Sequence, residues 1–126
     1  MGFKTLMVIK AVVCLAFGVL LLFLPSQLLS LYGLSFSSAA AFTARAYGAS
    51  LLGNLMLTWF ARNAEESPVR RAIVLDLFVY DAVALLATLA LQFSGTFNVL
   101  GWSIVVIYLF FTAGFGYFLL RRKRVA

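Results

Sequence analysis

Two aspartates, Asp76 and Asp81, stand in the apolar run IVLDLFVYDAVALL (73–86), and Arg45 and Asn54 interrupt a second apolar run. Charged groups in such surroundings do one of two things. They pair and fix helix register, or they line a polar cavity that binds a ligand or passes a proton. The candidates for a ligand or proton-relay group are Arg45, Tyr47, Asn54, Tyr80 and Asp81. Lys10 and Asp76 are the candidates for a structural ion pair. No catalytic residue is identified, because no nucleophile stands beside a base and no acid pair lies at working distance. The chain has no histidine and a single cysteine, Cys14. That excludes an intrachain disulfide and CxxC redox chemistry. It also removes the usual ligands of zinc, haem and di-iron sites, so neither a metal nor a cofactor is expected.

The elements that must position these groups are membrane spans. Hydrophobic residues make up 64% of the 126, and the mean hydropathy is +1.06, beyond what a soluble domain carries. Four apolar stretches can be read, at about 5–24, 41–61, 72–92 and 97–120. Each is near or above the roughly 20 residues that cross a hydrocarbon core of about 30 Å. The expected fold is therefore all-α, an integral membrane four-helix bundle formed by one domain over residues 1–126. At the first stretch, Lys4 and Lys10 precede an apolar run from Ala11 to Leu24, as in a signal peptide, but no small-x-small cleavage site comes at once, so it reads as a retained helix. Pro25 ends that span, and PSQLLSLYGLSFSS (25–38) predicts a short interfacial helix stopped by Gly33. Ser67 and Pro68 are placed as cap and first-turn residue of the third span. FSGTFN (93–98) is a tight turn before the fourth.

Nine of the ten basic residues fall in three places: Lys4 and Lys10, then Arg62, Arg70 and Arg71, then Arg121, Arg122, Lys123 and Arg124. With four spans these places share one side. The positive-inside rule puts both termini and the 62–71 loop in the cytoplasm of a bacterial inner membrane. Arg45 is the exception. The net charge of +6 does not make nucleic acid an expected partner, because the basic residues hug helix ends. The RRKR tail reads as a topology anchor at the lipid headgroups. The expected partners are the bilayer and either a second copy or another membrane protein.

At about 1.5 Å per residue, Asp76 lies roughly 7 Å and Asp81 roughly 15 Å from the inner interface, and Arg45 lies about 25 Å from it. At about 100° per residue, Asp76, Tyr80, Asp81, Ala84, Ala87 and Thr88 share one wall of the third span, which predicts that this wall faces inward. On the second span Ala41, Arg45, Ala49 and Gly53 recur every four residues, the small-xxx-small spacing of close helix pairs. In the first reading Asp81 pairs with Arg45, or bonds Asn54 and a tyrosine, and Asp76 pairs with Lys10. In the second, the Asp81 group lines a cavity.

Across LPSQLLSLYGL and ARAYGASLLGNLML, the chain resembles small four-span bacterial membrane proteins of unknown function that are broadly related to DoxX. The resemblance implies a four-helix membrane bundle without an assigned reaction, and its matched positions are Pro25, Gly33, Arg45 and Gly48. Small multidrug transporters are of similar length but carry their essential carboxylate in the first span, where this chain has Lys10. Fluoride channels share an asparagine in the second span, which Asn54 matches, but their phenylalanine and threonine filter motif is absent. The function expected is that of an accessory, structural or assembly subunit without enzymatic activity. The alternative is a small transporter or ligand-binding bundle with a polar core at Asp81 and Arg45.

Overall fold

The computed structural model describes residues 2–35 and 37–122, so Lys123 and Arg124 of the basic tail lie outside the described residues. The protein is all-α. The described residues form five helices and no strand: α1 (Phe3–Phe23), α2 (Pro25–Leu31), α3 (Ser38–Phe60), α4 (Pro68–Phe93) and α5 (Gly101–Arg122). Three of them are long and apolar enough to cross a membrane: α1, α4, and α5 over Gly101–Leu120. With 23 residues, α3 is about 34 Å long, so length does not set it apart. Arg45, Ser50, Asn54 and two glycines lower its hydropathy. The four similar stretches expected from the sequence are thus three strongly apolar helices and one more polar one.

Local chemistry fixes the boundaries. Pro25 has no N–H to extend α1, whose last backbone bond runs from Leu24 N–H to the Leu20 carbonyl at 2.8 Å. The same proline opens α2, the short helix expected after the first span. Gly33 (φ 79°) and Gly95 (φ 82°) end α2 and α4 in the left-handed region. In each case the glycine N–H donates to the carbonyl two residues before the cap, Ser30 or Gln92. The next N–H, of Leu34 or Thr96, reaches Leu29 or Leu91 at 3.1 Å. This paired closure satisfies carbonyls that the helix end would orphan. Ser37 caps α3, and Ser67 caps α4 with Pro68 in its first turn, each hydroxyl accepting an N–H three residues on.

The chain divides into two compact units, residues 1–63 and 64–126. The first consists of α1, α2 and α3. The buried stripe of α1 runs Phe3, Leu6, Met7, Lys10, Ala11, Cys14, Gly18 and Leu21, a helical three-and-four spacing. The second pairs α4 with α5. Its core holds Val74 and Leu77 from α4 with Val105, Phe111, Phe115 and Phe118 from α5, and Phe111 stacks on Phe115 at 6.2 Å between centroids. Large apolar side chains also cover the outside. Phe42, Phe60 and Phe93 are each 76% exposed, an arrangement suited to hydrocarbon rather than water.

Candidate functional site

In the first unit, glycines govern the geometry around Arg45. Gly18 of α1 meets Gly48 of α3 so closely that a methyl group at Gly48 would lie 2.9 Å from the Gly18 carbonyl oxygen and 3.0 Å from the Leu22 nitrogen. The two backbones therefore touch, as helices do in membranes where small residues face each other. The helices run antiparallel, since residue 18 opposes 48 while residue 22 opposes 45. Arg45 lies three positions before Gly48, on an adjacent part of the same face. From there its Nε donates to the Leu22 carbonyl at 3.3 Å.

That carbonyl belongs to the last turn of α1, which contains no basic residue of its own. The guanidinium supplies both a donor and a positive charge to the negative end of the helix. The spacing Arg-x-x-Gly is thus one mechanical device. Gly48 lets the helices approach, and the approach brings Arg45 to the α1 end.

The close seam differs from the one expected. Ala44, Gly48, Leu51 and Thr58 are the buried positions of α3, whereas Arg45, Ala49 and Gly53 are exposed and a methyl group at Gly53 would meet nothing within 4 Å. Two registers of small residues, one offset by a single position, coexist on this helix. The one containing Gly48 faces α1 because α1 offers Gly18 opposite it. Arg45 reaches α1 from the flank, by the length of its side chain. Tyr47 and Asn54 are half-buried on the other flank.

In the second unit, α4 buries Val74, Leu77, Asp81 and Thr88. Asp81 is fully inaccessible at 0% exposure and lies about 20 Å along a helix of about 39 Å. Asp76 is exposed within the second unit, away from the face that α4 packs on α5. It lies about 130° around the helix from the buried face. That face is built by Val74 and Leu77 together with Asp81, not by the small residues, so Ala87 is exposed too. Tyr80 is half-buried beside Asp81.

The units separate the expected groups: Lys10, Arg45, Tyr47 and Asn54 belong to the first, and Asp76, Tyr80 and Asp81 to the second. Lys10 is 3% exposed, in the buried stripe of α1.

One residue near Asp81 carries a signal that the sequence reading passed over. Helices α4 and α5 run antiparallel, Arg71 donating to the Leu119 carbonyl at 3.3 Å and Gln92 to the Asn98 carbonyl at 3.2 Å. That register sets Asp81 within about one turn of Thr112. The Thr112 hydroxyl is buried and makes no hydrogen bond among the described residues. Thr58 and Thr88 instead return theirs to the carbonyls of Asn54 and Ala84, at 2.8 and 2.7 Å. The polar residue inside the aromatic run FFTAGFGYF (110–118) was the available sign.

The arginines share a pattern. Arg45 serves the end of α1, Arg62 donates to the Trp59 carbonyl at the end of α3 while stacking on the Trp59 ring at 3.9 Å, and Arg71 serves the end of α5. Each guanidinium donates to a carbonyl in the last turn of a helix, where intrahelical donors run out. Among the described residues, no group of three or more Cys, Asp or Glu could hold a metal ion.

The model of a family described as a domain of unknown function, DUF8292, matches residues 2–121. No curated protein and no solved structure matches the chain.

Proposed function

The chain belongs to this DUF8292 family, and from that premise we propose a four-span bundle of the bacterial inner membrane, both termini cytoplasmic, that serves as an accessory or assembly subunit through helix packing. The fourth span is α3. It lies antiparallel against α1 with their backbones in contact at Gly18 and Gly48, and a helix held that close to a spanning partner shares its depth. Nine of ten basic residues then fall on the cytoplasmic side. The partners in this reading are the bilayer and a second copy or another membrane protein. Nucleic acid and enzymatic chemistry have no part in it.

The observation that carries the proposal is the hydrogen bond from Arg45 to the Leu22 carbonyl. The one basic residue away from the cytoplasmic clusters is spent on a helix end. The DoxX-like resemblance belongs to the same proposal, since its matched positions have mechanical contacts. Pro25 starts α2, Gly33 ends it, Gly48 forms the seam and Arg45 secures α1.

Thermal unfolding of the full chain in lipid nanodiscs tests this role. Arg45→Gln is expected to destabilise by about 1–3 kcal/mol, the cost of losing a charge-assisted hydrogen bond at the end of α1. Arg45→Lys should recover part of the loss. An Arg45→Gln protein as stable as wild type contradicts the clamp.

One observation favours a second reading, a small transporter or ligand-binding bundle with its polar core at Asp81 and Arg45. The Thr112 hydroxyl is buried and makes no hydrogen bond among the described residues, at the level of a fully buried carboxylate. Membrane carboxylates so placed bind ions or pass protons.

A further inference from the structure

At the basic end of the second unit, the loop before α4, the first turns of α4 and the last turns of α5 enclose a cleft. Its rim is polar, formed by Glu66, Ser67, Arg70 and Arg71, and its floor is apolar, formed by Val74, Phe118 and Leu119. The cleft is shallow, with about 20 Å³ of space open to a water-sized group. A ligand therefore sits across the mouth.

Two contacts hold the guanidiniums there. Arg70 donates to the Ala64 carbonyl at 3.2 Å and Arg71 to the Leu119 carbonyl at 3.3 Å. A guanidinium carries five N–H donors, so the bond to Leu119 fixes Arg71 without exhausting it. The sequence continues past the floor into Arg121, Arg122, Lys123 and Arg124.

We propose that this cleft binds the headgroup of a phospholipid, with the phosphodiester between Arg70 and Arg71 and the first acyl carbons over Val74, Phe118 and Leu119. Neighbouring guanidiniums match the planar, multidentate geometry of phosphate recognition. Basic pockets between spanning helices on the cytoplasmic side take lipid headgroups by the same electrostatics. The apolar floor distinguishes a lipid from free phosphate, which has nothing to place there. Glu66 on the same rim offers a carboxylate to an amine beside the phosphate. The headgroup class is therefore the zwitterionic aminophospholipid rather than an anionic glycerol headgroup. The inference rests on the membrane reading only in placing this end at headgroup level.

Native mass spectrometry of the full chain, released from vesicles of equal phosphatidylethanolamine and phosphatidylglycerol, tests the site. One retained phosphatidylethanolamine per chain is expected. Arg70→Gln and Arg71→Gln should each lower its occupancy about fivefold, the equivalent of about 1 kcal/mol per basic residue near the surface. Glu66→Gln should turn the preference toward phosphatidylglycerol. Because Arg71→Gln also releases the Leu119 carbonyl, Leu119→Trp is the companion variant. It fills the floor with both guanidiniums in place, and it too should lose the lipid.

Three results overturn the site. The first is arginine and Leu119 variants that embed in vesicles yet keep wild-type occupancy. The second is retention that follows only the 121–124 charges, when those four are changed to glutamine. The third is displacement of the lipid by inorganic phosphate, which would make this a plain phosphate site. Failure of the membrane reading looks different, since the wild-type chain would then not embed at all.

Discussion

Gly48→Leu is expected to separate α1 from α3. Even the methyl of Gly48→Ala lands 2.9 Å from the Gly18 carbonyl oxygen and 3.1 Å from Leu21 Cβ, against backbone that no rotamer change can move. Overpacking of this kind costs about 1–3 kcal/mol, and the better helix propensity of alanine returns at most about 1 kcal/mol. Gly48→Ala should therefore lower stability by about 1–2 kcal/mol, a net of those two terms. Leucine should exceed that and also displace Arg45 from Leu22. Gly53→Ala, five positions on, meets nothing within 4 Å, so only the propensity gain applies and stability should hold or rise slightly. Thermal unfolding of the three variants in one lipid mixture reads the contrast. Equal losses at 48 and 53 would show that Gly48 is not at the seam.

The second large effect belongs to Phe115. This side chain is 0% exposed, stacks on Phe111 and sits in the α4–α5 core. Phe115→Ala leaves a cavity, and such truncations cost about 3–5 kcal/mol in water-soluble cores. In a bilayer the unfolded reference is already apolar, so dispersion contacts and the cavity supply the loss. About 3 kcal/mol is expected, the low end of that range. Leu109→Ala, on a side chain 53% exposed, should cost far less. Unfolding monitored by tryptophan fluorescence follows both, because Trp102 packs edge-to-face on Phe93 at the α4–α5 turn, 5.8 Å between centroids. Equal costs at 115 and 109 would contradict the packing described.

Helix ends were the most legible part of the sequence, because their chemistry is local. Pro25, Gly33, Ser67 and Pro68 each act through backbone within four residues, and each stands where the pattern placed it. Helix faces were harder to read. On α3, Ala41, Arg45, Ala49 and Gly53 make as regular a stripe as Ala44 and Gly48. Only the partner glycine on α1 decides between them, and pairing across helices is not written in one helix's periodicity.

On α4 the face that packs on α5 is not written in the polarity pattern either. Grouping by polarity put Asp76 with Asp81, but the buried face is chosen by the bulk of Val74 and Leu77 packed against α5. Asp81 shares that face, and Asp76 falls outside it. The role of Arg45 was half legible. Its spacing from Gly48 marked a close helix contact, while its acceptor, a main-chain carbonyl, has no side-chain signature.

These contacts give the arginines one physical job. The last turn of a helix is short of N–H donors. Arg45, Arg62 and Arg71 donate to carbonyls in the last turns of α1, α3 and α5, while α4 closes on Gly95. In the proposed packing role these arginines belong to the scaffold, and the alternative of transport rests on the buried polar groups of Asp81 and Thr112.

Proton flux through proteoliposomes tests the central claim most directly. The full chain would be reconstituted with a pH-sensitive dye inside the vesicles and a potassium-diffusion potential applied, with wild type and Asp81→Asn measured side by side. A packing subunit predicts flux equal to that of protein-free vesicles for both chains. Wild-type flux that rises above this background and vanishes in Asp81→Asn would contradict the account and move Asp81 and Thr112 into a conduction path.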